Sequence, residues 1–209
     1  MFRRTLIRAV PTVMLGAALA LPGVSWADEA PNTFIEKVTN QVLDTIRNDP
    51  AIKSGQFAPV MAAVDRIVLP NVNFKRMTAS ATGPGWRKAT PQQQQQLQTE
   101  FKTLLVRTYA GALKSVSNET VEVLPLRNAT GNEVLVRSLV RGKGDPIQLD
   151  YRLEKTPGKG QGWQVYDVNI MGVWMVESYR NQFAQAINAG GVDGLIKQLQ
   201  DRNQANAAR

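Results

Sequence analysis

The hydrophobic pattern changes period twice along the chain. In residues 32–49, Ile35, Val38, Val42 and Ile46 recur at three- and four-residue steps, predicting a helix stopped by Asn48-Asp49-Pro50. A second helix is predicted over 57–69, with Phe57, Val60, Met61, Val64 and Val68 on one side and Pro70 ending it. A short third helix at 73–79 carries Phe74 and Met77 and precedes a Gly83-Pro84-Gly85 break. Thr90 opens the best-marked helix. Thr90 caps it, Pro91 suits the first helical position and Gln93 completes a capping box. Leu97, Phe101, Leu104, Leu105, Thr108, Ala112 and Leu113 then hold one apolar face to about Lys114.

Near Thr120 the period drops to two, the sign of a passage into sheet. Val121, Val123 and Leu126 begin it, and strands are predicted over 134–141, Ile147–Lys155 and Trp163–Ile170. In the second of these, Ile147, Leu149, Tyr151 and Leu153 face one way. Gln148, Asp150, Arg152 and Glu154 face the other, so that side is expected to be wet, as in an antiparallel sheet. The stretch 162–183 reads as a strand that turns at Gly172 and runs on as a helix, with Trp163, Tyr166, Trp174 and Tyr179 around the junction. An apolar strand passing into an apolar helix must pack on both sides, and this junction is expected to line an apolar cavity. A helix over 176–189, a Gly190-Gly191 break, a short helix over 192–199 and a frayed tail at 201–209 close the chain. The order of elements predicts an α+β fold: about four antiparallel strands clasped by N-terminal and C-terminal helices.

The first residues do not belong to that fold. Arg3, Arg4 and Arg8 precede an apolar run at 9–21, and Ser25-Trp26-Ala27 places small residues at a cleavage site before Asp28. This is the three-part pattern of a secretory signal peptide, and the run is shorter than the roughly 20 residues of a membrane span. No Cys follows it, which excludes a lipoprotein anchor. Residues 1–27 are read as the export signal and 28–209 as one exported domain. Removing the signal takes away three Arg and no acid, so the formal net charge goes from +8 to +5. For an exported basic surface the expected partners are anionic headgroups or an acidic protein patch, not nucleic acid.

Composition narrows the chemistry. Among 209 residues there is neither Cys nor His, which removes thiolate chemistry, disulfides, imidazole bases and the usual metal ligands. Asp65, Asp150 and Asp167 are the carboxylates embedded in structured segments. One of them in an apolar cavity, with a Tyr, could act as a base with a raised pKa, but a structural ion pair or hydrogen bond is the expected role. The Gly142-Lys143-Gly144 and Gly158-Lys159-Gly160 loops are read as hairpin turns, since neither continues as a phosphate-binding loop into a helix.

The arrangement resembles the MlaC/Ttg2D family of periplasmic phospholipid-binding proteins, the toluene-tolerance Ttg2 family. The matching stretches are Phe74-Lys75-Arg76-Met77, Gly85-Trp86, Ala89-Thr90-Pro91-Gln92, Phe101, Leu104-Leu105 and Tyr109. They continue through Trp163 to Val168, Gly172 to Val176, Tyr179-Arg180 with Phe183, and Gly191 to Ile196. Trp174 departs from the pattern, where the family usually has Ser, and is expected to narrow the cavity or alter its mouth. The resemblance implies a monomeric carrier that needs no cofactor and holds phospholipid as cargo. It would pass cargo between an outer-membrane lipoprotein/porin complex and an inner-membrane MCE-domain ABC transporter, maintaining lipid asymmetry. The expected acyl-chain wall is Val134, Val136, Leu149, Tyr151 and Leu153 from the sheet, Leu105, Tyr109 and Leu113 from the long helix, and Val173, Trp174 and Val176 at the junction. Each buried CH₂ contributes about 0.8 kcal/mol, so a 16-carbon chain gains roughly 12 kcal/mol from a dry pocket and needs no catalytic group. The rival expectations are an exported cone-fold enzyme with a carboxylate base, and a protein-binding adaptor with a solid interior.

Overall fold

Capping side chains and prolines decide where the helices start. The computed structural model describes residues 29–126, 131–158 and 161–207. The predicted export signal therefore lies outside the described residues, as do Lys159 and Gly160 of the second glycine loop. Helix α1, Pro31–Asn48, begins on a proline. Asp49 then accepts hydrogen bonds from the N–H groups of Ala51 and Ile52 at 2.9 and 3.2 Å, starting the one-turn helix α2, Pro50–Lys53. A single turn has no period to read, so the pattern missed it.

Helix α3, Phe57–Ala63, does not run on regularly to residue 69 as predicted. It widens into a π-helical segment, Val64–Val68, then a 3₁₀ turn, Leu69–Asn71. The Leu69 N–H reaches back five residues to the Val64 carbonyl, and Pro70 has no N–H to restore the ladder. Helix α4, Phe74–Thr82, is capped by Asn73, whose Oδ1 accepts from the Arg76 N–H at 2.9 Å. Helix α5, Gly85–Lys88, is one turn. Helix α6, Pro91–Tyr109, has both arms of the predicted capping box between Thr90 and Gln93, and tightens into a 3₁₀ stretch, Ala110–Ser115.

The sheet is an antiparallel meander in sequence order: β1 Thr120–Val123, β2 Glu133–Arg141, β3 Ile147–Lys155, β4 Trp163–Ile170 and β5 Val173–Trp174. Strand β5 adds to the four predicted. Met171 and Gly172 have φ of 50° and 90°, the two positive values a tight hairpin turn demands, so the chain folds back before its last helix begins. The Asn169 Oδ1 secures the turn by accepting from the Gly172 N–H at 2.8 Å.

A bulge at Tyr166 shifts the β3–β4 register: Leu153 pairs with Val165, but Arg152 pairs with Asp167 and Tyr151 with Val168. Directly paired residues share a face, so Val168 joins Tyr151 on the inner side and Asp167 moves to the outer side. On that outer side the expectation of a wet face fails locally. Trp174 pairs with Asn169, and the Arg152 guanidinium lies 3.8 Å over the Trp174 ring. Asp150, Asp167 and Asn169 are buried there.

Helix α7, Met175–Ala207, is interrupted at Gly190 and Gly191, where Gly191 takes φ 65°. Where a frayed tail is predicted, helix continues to Ala207. Asn203 is buried and donates to the Glu100 side chain at 2.7 Å and the Glu100 carbonyl at 3.0 Å, a tie to α6 that no local pattern announces. Among the described residues, no helix is long and apolar enough to cross a membrane.

Three apolar clusters follow. One joins α4, α6 and α7 through Met77, Leu97, Phe101, Leu104, Tyr179, Phe183, Leu195 and Leu199. There Phe101 meets Tyr179 and Phe183 edge-on at 4.9 and 5.2 Å between ring centroids. A second fills the space between α1 and the sheet with Phe34, Ile35, Val134, Val136, Tyr151, Leu153, Trp163 and Val165. A third gathers Ile46, Ile52, Val60, Val106 and Ala110.

Candidate functional site: an apolar cavity among the helices

The third cluster is not closed. Beside it lies a cavity of about 310 Å³, within the size range of small-molecule sites at about 300–1,000 Å³. Helix α1 supplies Val42, Thr45 and Ile46, α2 supplies Ile52, and α3 supplies Val60 and Ala63. The π and 3₁₀ turns add Val64, Ile67, Val68 and Leu69, followed by Val72 and by Phe74 and Met77 of α4. Lys102, Leu105, Val106, Tyr109, Ala110 and Leu113 complete the wall, one stripe along α6 and its 3₁₀ extension. The sheet contributes Val168 and the start of α7 contributes Met175.

Two features of the chain make this wall. Helix α6 is apolar over a wide arc: Leu97, Phe101 and Leu104 pack towards α7, while Leu105, Val106 and Tyr109 turn to the cavity. The α3 segment and its irregular continuation are apolar on more than one side: the widened π turn carries three wall residues, Val64, Ile67 and Val68, and the 3₁₀ turn adds Leu69. The wall's polar atoms come from Thr45, Tyr109 and Lys102, and Lys102 is the charged side chain in it. Its ammonium donates to Asp65 Oδ1 at 2.7 Å, bridging α6 to the π-helical segment. An open polar cleft lined by Lys37, Asn40, Gln41, Asp44, Thr45, Asn48, Asp49 and Arg66 adjoins the cavity through Thr45.

The sequence-predicted wall divides. Leu105, Tyr109 and Leu113 line this cavity, with Tyr109 exposed at its edge. Val134, Val136, Tyr151 and Leu153 sit in the cluster under the sheet, and Leu149 packs against it. Val136 and Leu153 are 0% exposed there, and burial pushes the Tyr151 phenol up to about 12. Val176 belongs to the α4–α6–α7 cluster, Val173 is exposed, and Trp174 lies on the outer face under Arg152. The junction thus reaches the cavity through Val168 and through Met175, which lies between Trp174 and Val176. The α1–α3 side of the cavity holds none of the wall residues predicted from sequence. Its available signal was the surplus of aliphatic residues over 60–69, more than one buried stripe uses.

The embedded carboxylates have structural partners. Asp167 Oδ1 accepts from the N–H groups of Val168 and Val176 at 2.9 and 3.1 Å, capping the start of α7, and Oδ2 faces Arg152 at 3.3 Å. Burial raises the pKa of Asp167 against the opposing pull of those N–H groups and of Arg152. Asp150 accepts from Gln148 Nε2 at 2.8 Å through one oxygen. Neither lines the cavity, and Asp65 reaches it only through Lys102. Among the described residues no group of three or more acidic side chains could hold a metal. A wall of this composition can hold an apolar group away from water.

Elsewhere the sheet is fastened to α4. Arg76 bonds Glu133 Oε1 at 2.6 Å and Glu154 Oε2 at 2.5 Å, and its guanidinium stacks 3.6 Å over the Tyr166 ring. Tyr166 also donates to Glu133 at 3.0 Å.

The family model for MlaC protein matches residues 36–201. The toluene tolerance protein ttg2D of Pseudomonas putida is 29% identical over 177 residues, covering 83% of this chain and 80% of that protein. The intermembrane phospholipid transport system binding protein MlaC of Haemophilus influenzae is 24% identical over 178 residues, covering 83% and 82%. Among solved structures, a phospholipid-binding protein of Ralstonia solanacearum in complex with a phospholipid is 46% identical, with a TM-score of 0.81. That match covers 86% of this chain and 99% of the other. With the family model spanning most of its length, this chain belongs to the MlaC family.

Proposed function

We propose that the protein is a periplasmic phospholipid carrier whose cargo places acyl chain in the cavity between α1–α4 and α6. The observation that carries this reading is the wall itself: about 310 Å³ bounded almost entirely by carbon, in a chain 46% identical to a protein solved with phospholipid. The wall we assign comprises Leu105, Tyr109 and Leu113 with the α1–α3 aliphatics, Val168 and Met175. Binding here is burial of hydrocarbon, with no bond made or broken, so affinity follows chain length and release is slow unless a partner opens the wall.

The residues after position 27 would form the exported domain, acting as a monomer. The cargo would pass between an outer-membrane lipoprotein/porin complex and an inner-membrane MCE-domain ABC transporter; similarity to an intermembrane phospholipid transport system binding protein supports transfer between membranes. Native mass spectrometry of gently isolated protein tests the reading. A phospholipid adduct on the mature mass is expected, and protein that never carries lipid would refute the carrier.

A further inference from the structure

Lys102 stands out in the cavity. Its stem forms part of a wall that is otherwise apolar apart from Thr45 and Tyr109, and its ammonium ends 2.7 Å from Asp65. A long basic side chain of this kind lays its methylenes on apolar surface and keeps its charge at the rim. The Lys102 side chain is 22% exposed and that of Asp65 49%, so the pair is wet enough to exchange partners. Asp65 lies in the π-helical segment, one residue from Val64 and two from Ile67, both in the wall.

We propose that Lys102 recognises the phosphodiester of the cargo, releasing Asp65 to take up the lipid anion at the cavity's edge. The proposal rests on the carrier reading and deepens it: the acyl chain supplies affinity, and Lys102 fixes which end stays outside. A phosphodiester satisfies the ammonium as a carboxylate does, with a charge-assisted hydrogen bond, and acyl chains in the adjoining cavity hold it in place. Asp65 is then a competitor for the cation, not a support for it.

That relation gives opposite signs to two substitutions that break the same ion pair. Protein would be incubated with vesicles containing dioleoylphosphatidylglycerol and dioleoylglycerol, separated, and its bound lipids measured by extraction and mass spectrometry. In Lys102→Gln, retained phosphatidylglycerol is expected to fall about tenfold relative to dioleoylglycerol, the scale of one hydrogen bond to a charged group. In Asp65→Asn it is expected to stay level or rise. Matching losses in both variants would mean a structural ion pair and overturn the proposal, as would an unchanged ratio in Lys102→Gln. Titration with inorganic phosphate alone is expected to give no heat; Lys102-dependent binding of free phosphate would overturn the assignment to a lipid headgroup. Wild-type protein that retains neither lipid would sink the carrier reading itself, whereas normal wild-type loading with insensitive variants sinks only the role of Lys102.

Discussion

The two sides of the sheet's inner layer differ in how they are filled. Under β2–β4, large side chains interlock against α1: Phe34, Val136 and Leu153 are fully buried, and Tyr151 and Trp163 fill the rest. Across Val72, which packs against this cluster and also lines the cavity, the neighbouring region sets aliphatics on short, irregular helical turns against the long helices α1 and α6. Regular elements bring flat, repeating faces together and close-pack. One-turn helices and a π-helical segment cannot match each other's ridges over any length, and a cavity remains. On the proposed reading, hydrocarbon is held on the helical side and the sheet backs it.

Substitutions should separate the two regions. The largest effect is expected on the packed side: Leu153→Ala should lower stability by about 2–5 kcal/mol through lost burial and a new void, measured by urea unfolding. Folded protein of that variant should keep its lipid content. The reverse is expected of Ala63→Phe, which puts a ring into the cavity. Stability should hold or rise, while co-purifying phospholipid should drop by about tenfold or more, since each methylene displaced from the wall forfeits about 0.8 kcal/mol. If Ala63→Phe unfolds the domain and leaves its lipid unchanged, the distinction between the regions collapses.

Trp174→Ser comes next. The structure places Trp174 on the outer face, stacked with Arg152, so the change should cost about 0.5–1 kcal/mol from the lost cation–π contact and leave lipid content unaltered. A change in lipid occupancy would mean that the ring reaches the cavity after all.

The smallest effect is electrostatic. Burial holds the folded pKa of Asp167 above its unfolded value. The folded state therefore binds the extra proton, and the group's contribution to stability is present below the unfolded pKa and lost as pH rises through the folded one. Asp167→Asn keeps an oxygen to accept from Val168 and Val176 and removes this dependence. The stability of wild type relative to the variant should decline across that window in pH-dependent unfolding, and a rise would reverse the assigned cause.

Much of the fold was legible because it is written in local chemistry. Thr90, Pro91 and Gln93 start α6 as the capping box predicts, and the alternation over Ile147–Lys155 gives β3 its bounds. Alternation marks which side chains turn inward, but says nothing of whether the space they meet is full. That is why Val136 and Leu153, both predicted for the wall, belong to solid core, while Leu105, Tyr109 and Leu113 line space. Other features depended on long-range partners. Asp150 is polar in sequence yet buried, in a cross-strand row with Asn169 that β5 extends through Trp174, and Asn203 is buried where it meets Glu100. The bulge at Tyr166 reversed the faces of the residues after it, so the junction reaches the cavity through Val168 and not through Trp174.

The claim that hydrocarbon resides on the helical side is tested most directly by photolabelling. A phosphatidylglycerol with a diazirine on one acyl chain would be loaded from vesicles, irradiated, and its attachment sites mapped by peptide mass spectrometry. Labels are expected within 42–72 and 102–113; labels concentrated in 134–136 and 149–153 would contradict the account.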